Sequence, residues 1–136
     1  MTEPRHRLRA VLLAGLLYLV IGLGTSALAR QGGAAWRIAA WLVSAIVFAA
    51  HIGYELSRLR SSPTTTAFHA ALGVALGALG LAAAATIRAV TTANYRSAFL
   101  LALVAWPLMT GIAAFVAAWV MLTVVRLLGR TTRSAL

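Results

Sequence analysis

Apolar residues in this chain gather in four long runs that hold no Asp, Glu, Lys or Arg: Ala10–Ala29, Ile38–Tyr54, Ala67–Ile87 and Ala98–Val125. Short segments between them collect the arginines. A helix needs about 20 residues to cross the hydrocarbon of a bilayer, with a range of about 17–25. The pattern therefore predicts an all-α membrane protein, a four-helix transmembrane bundle with antiparallel neighbours and short loops. No linker or low-complexity stretch divides it, so residues 1-136 form a single domain with spans at approximately 10-29, 38-58, 64-87 and 97-125.

The runs differ in length, and each difference has a consequence. The second is short, so its helix should continue through Glu55 to Arg58, with the guanidinium reaching back to the interface. The fourth is too long to stand upright, and must tilt, kink or project. Pro107, in AWPLMTG, is the candidate hinge, because proline removes a backbone hydrogen bond inside a helix.

Composition makes the solvent explicit. Hydrophobic residues make up 62% of the chain and charged residues 10%, against about a quarter charged in soluble domains. A chain this short could not hide so much apolar surface from water. All the basic residues are arginine, and they carry the net charge to +10. In a soluble protein that charge would point to nucleic acid. Placed between apolar runs, the arginines set topology and attract anionic lipid headgroups instead.

Eight arginines flank the N-terminus, the middle loop and the C-terminus, while Arg30, Arg37, Arg88 and Arg96 occupy the other side. Positive-inside bias then predicts cytoplasmic termini and a multi-pass protein of the cytoplasmic (inner) membrane of a prokaryote. Residues 1-29 also fit a secretory leader, ending in Ala27-Leu28-Ala29. The full spanning length of Ala10–Ala29 favours a retained helix. Trp36-Arg37 and Tyr95-Arg96 each open a helix after an outer loop, as two similar hairpins would. Outer loops of membrane proteins also collect such residues without any repeat.

The third span carries Gly73, Gly77 and Gly80. Glycines four apart share a helix face and let another backbone approach closely. This strip is the candidate packing surface, within the bundle or between copies. Trp36, Trp119, Tyr54 and Tyr95 lie near span ends as interfacial anchors, whereas Trp41 and Trp106 lie deeper.

Candidate chemistry is confined to the second hairpin. His51, Glu55 and Arg58 share a helix face by their spacing. Ser62-Pro63 has the form of an N-cap followed by proline in the first turn. The turn then centres near residues 61–62, which puts Glu55 level with His69, and His51 about 6 Å deeper at 1.5 Å per residue. His51, Glu55, Arg58 and His69 are thus the candidates for a ligand site or proton relay, if the two helices turn these faces together. The competing reading is structural, with Glu55 paired to Arg58 and the histidines satisfied near water. His51, Glu55 and His69 are also the candidate metal ligands, and the two histidines the candidate haem ligands; no cofactor is predicted.

There is no cysteine, which removes disulfides and thiolate chemistry. Phosphate loops, nucleophile elbows and paired catalytic carboxylates are also missing, so an enzyme is not expected. The expected role is a non-enzymatic accessory or interaction subunit of a membrane assembly. Its partners are other membrane subunits or further copies of itself, a bilayer with anionic headgroups, and no nucleic acid. The alternatives are a small oligomeric proton-linked transporter or channel using the His/Glu cluster, and a bis-histidine haem subunit.

Overall fold

The structure is a computed structural model that describes residues 3–32, 34–59, 61–93 and 96–134. Four helices run in order: α1 Glu3–Gly32, α2 Ala34–Ser57, α3 Pro63–Thr91 and α4 Ala98–Ser134. Each is long and apolar enough to span a membrane. The helices outrun the apolar runs that announce them, because a helix needs backbone hydrogen bonds and not apolar side chains. In α1 the arginine-rich arm is already helical, and arginine is a good helix former. The 37 residues of α4 give about 55 Å at 1.5 Å per residue. Hydrocarbon is about 30 Å thick, so α4 is longer than an upright span requires.

Connections are short and locally satisfied. Ser62 caps α3 with extended backbone, φ −64° and ψ 153°. Its hydroxyl accepts the Thr65 amide at 3.2 Å, and Pro63 fills the first helical position, where no amide is required. After α3, the Thr92 amide donates to the Arg88 carbonyl at 3.0 Å. Ala93 then takes a positive φ of 55°.

Helix α3 is the hub and packs against the other three. Its glycine strip is occupied by α1 of the same chain. A Cβ on Gly73 would lie 3.2 Å from Ala14 Cβ, and one on Gly77 would collide with Tyr18 Cβ. Gly80 faces Leu19, and Gly22 of α1 faces Leu81. Partner numbers rise together, so α1 and α3 run parallel, as the first and third helices of consecutive antiparallel hairpins must. On another face of α3, Ala75 meets Gly111 of α4. Nearer the second hairpin, Ala67 and Ala70 pack with Ile52 of α2 and with Ala118 and Leu122 of α4.

The bundle is inverted relative to a soluble protein. The largest fully buried side chains are Ile52, Glu55 and Thr66, whereas Trp41, Ile46, Leu101 and Met109 are all exposed. Apolar surface of this extent would aggregate in water. It fits lipid, where small residues at helix contacts and large ones facing outward are the rule. The four apolar helices and their surface are compatible with a small integral membrane protein.

Candidate functional site

The last two turns of α2 direct His51, Ile52 and Glu55 inward, while Gly53, Tyr54, Leu56 and Ser57 face out. The chain then leaves the helix in a tight turn. Arg58 still donates its amide to the Tyr54 carbonyl at 2.9 Å, and the Ser61 amide donates to the Glu55 carbonyl at 3.2 Å. That second bond folds Ser61 back over the carboxylate.

Glu55 is 0% exposed. Its Oε2 accepts the Ser61 hydroxyl at 2.7 Å, and its Oε1 lies 3.0 Å from His69 Nδ1. An ionised carboxylate only accepts, so in that state His69 carries a proton on Nδ1. The imidazole is 17% exposed, which leaves the pair with an edge towards the surroundings. A buried carboxylate is tolerated when its oxygens are hydrogen-bonded and a countercharge is within reach. The hydrogen bonds come from the turn and from α3, and the His69 imidazole is a countercharge only when protonated. The arrangement closes the hairpin like a clamp, and it allows a proton to be shared between Glu55 and His69.

The other sequence candidates lie elsewhere. Arg58 is exposed in the turn, and the Glu55 carboxylate meets His69 at 3.0 Å. His51 is 8% exposed, and its Nε2 is buried without a hydrogen-bond partner. It lines a cleft between α1 and α2 together with His6, Arg9 and Tyr54. Gly73, Gly77 and Gly80 lie at the α1–α3 contact. Pro107 sits inside α4, where the Thr110 hydroxyl donates to the Trp106 carbonyl at 2.8 Å. Among the described residues no three His, Asp or Glu side chains converge as a metal site would need. Between the helices that carry His51 and His69, Ile52, Ala67 and Ala70 fill the space a porphyrin would have to enter.

Sequence reasoning missed Ser61 as a carboxylate donor. The levelling argument that paired Glu55 with His69 could have found it, since Ser61 lies at the centre of the same turn. It also missed Thr66, fully buried one turn into α3, for which the sequence offers no signal beyond its place on the inward face. Comparison with protein-family models, with curated proteins and with solved structures returned no match.

Proposed function

We propose that this protein is a non-enzymatic accessory or interaction subunit of a larger membrane assembly, with its termini and second hairpin on the cytoplasmic side of a prokaryotic inner membrane. The observation that carries this reading is the pair of outward tryptophans. Trp41 is 79% exposed on α2 and Trp106 is 53% exposed on α4. They lie about 10 and 12 Å along their helices from the same end of the bundle, at 1.5 Å per residue. An indole N–H at that depth has no acceptor in hydrocarbon, and tryptophan prefers the interface, where its N–H is satisfied. A neighbouring polypeptide supplies both an acceptor and a packing surface. The glycine strip is occupied by α1, so the reading rests on the outward faces of α2 and α4 that carry these tryptophans.

A proton-linked transporter or channel working through Glu55, His69 and His51 is the second reading, favoured by the Glu55–His69 pair. It has to open a site in which both carboxylate oxygens are bonded and the residue is fully buried. A haem subunit has to displace the packed Ile52, Ala67 and Ala70.

Native mass spectrometry after mild extraction tests the proposal. The expected result is this chain in fixed stoichiometry with a second polypeptide, and loss of that polypeptide on Trp41→Leu. Recovery of the wild-type chain only as a monomer or pure homo-oligomer would overturn the accessory role.

A further inference from the structure

A cleft of about 450 Å³ opens between the first half of α1 and the last half of α2. One end is polar: His6 and Arg9 come from α1, and His51 and Tyr54 from α2. The other end is apolar, walled by Leu13, Leu17 and Val47. Arg9 and Leu17 are eight residues apart, so the polar-to-apolar gradient runs about 12 Å along α1. This is the layout of a ligand with an ionic head and a hydrocarbon tail, not of a small polar solute.

Charge selects the sign of the head. Arg9 is the arginine that lines the cleft, and the carboxylate of Glu55, about 40° around α2 from His51, is bonded by Ser61 and His69. Arg9 offers a planar fork matched to a phosphate or carboxylate, and Tyr54 adds a hydroxyl donor. His51 supplies the independent sign that something polar belongs here. More than nine-tenths of its surface is covered, it lines the cleft, and its Nε2 has no hydrogen-bond partner. Buried polar atoms are satisfied in the great majority of cases, so an orphan in a cleft wall calls for an explanation.

We infer that the α1–α2 cleft is a binding site for an anionic phospholipid. Arg9, with His6 and Tyr54, holds the phosphate head. The His51 ring lies beside the polar linkage below it, and the acyl chain follows Leu13, Leu17 and Val47. Inorganic phosphate shares the head chemistry but leaves the apolar end empty, and the site is assigned to the lipid for that reason. The inference requires the helices to lie in a bilayer, and it is independent of the accessory role.

The test uses the full chain, stripped of lipid in detergent and re-equilibrated with phosphatidylglycerol, phosphatidylcholine or inorganic phosphate, with retained ligand read by native mass spectrometry. One phosphatidylglycerol per chain should be retained in preference to phosphatidylcholine. Arg9→Gln should weaken retention about tenfold, the loss expected for one charge-assisted contact. Ala50→Phe, which fills the cleft from an exposed position of α2, should abolish it with helix content unchanged. Arg58→Gln, at the same end but outside the cleft, should have no effect. Equal losses for Arg9→Gln and Arg58→Gln would reduce the effect to general surface charge and overturn the site. Retention unaffected by Ala50→Phe, or inorganic phosphate bound as tightly as the lipid, would overturn it as well.

Discussion

Replacing His69 with leucine will destabilise the bundle by about 3 kcal/mol, the lower end of the range for breaking a buried ion pair. The lower end applies because the imidazole keeps 17% of its surface exposed, so surroundings already screen part of the interaction. The carboxylate it serves has no such access, at 0% exposure. Without His69 it retains the Ser61 hydroxyl at 2.7 Å and must either take up a proton or pull the turn open. The double variant Glu55→Leu/His69→Leu should recover most of the loss, since an apolar pair of similar volume has no charge to satisfy. Ser61→Ala should cost less, about 1–2 kcal/mol, the penalty of one unsatisfied bond. Reversible unfolding in mixed micelles, read as helix content against denaturing detergent, gives all three values relative to wild type. A His69→Leu protein within about 0.5 kcal/mol of wild type, the ordinary scatter of neutral substitutions, would mean that the pair does not hold the hairpin. A double variant no more stable than His69→Leu would place the loss in packing and not in the unpaired charge.

The second large effect belongs to the α1–α3 contact. At Gly77 even a methyl group collides with Tyr18 Cβ, and the Gly15 carbonyl stands 3.2 Å from the same point. Both obstacles are fixed to the α1 backbone, so no rotamer change relieves them and the two helices must separate. Gly77→Ala should therefore cost about 2–3 kcal/mol, near the top of the range for overpacking, and Gly77→Leu should detach α1 from α3. Gly24 and Gly53 provide the controls, because a Cβ at either meets nothing within 4 Å. Alanine there should be neutral, or stabilising by up to about 1 kcal/mol through helix propensity. The same unfolding measurement separates the cases. Equal responses at Gly77 and Gly24 would contradict the close α1–α3 approach.

These two sites mark how far the sequence could be read. Hydrocarbon thickness imposes a minimum length on any spanning segment, so the four apolar runs announce four helices whatever packs against them. Heights along a hairpin follow from counting residues away from Ser62-Pro63, and counting puts Glu55 beside His69. Rotation does not follow from counting. His51 and Glu55 are four residues apart, which at 3.6 residues per turn leaves them about 40° out of line. Glu55 faces α3 and His51 lines the groove beside α1, two environments that the sequence treats as one face. The glycine strip was legible as a surface for close approach, but its occupant was not, because small residues admit any neighbour. Only the folded chain gives α1 that place. Proximity in sequence offers Arg58 as one partner for Glu55, and the turn brings Ser61 back over the carboxylate. Turn geometry of that kind carries no periodic signal.

The proposed subunit role rests on the outward face of α2, and a photo-crosslinkable phenylalanine derivative in place of Trp41 reports what lies against it in the intact membrane. The expected product is one discrete adduct between this chain and a different membrane polypeptide, reproduced from position 106. Adducts only with lipid at both positions, or only dimers of this chain, would contradict that role.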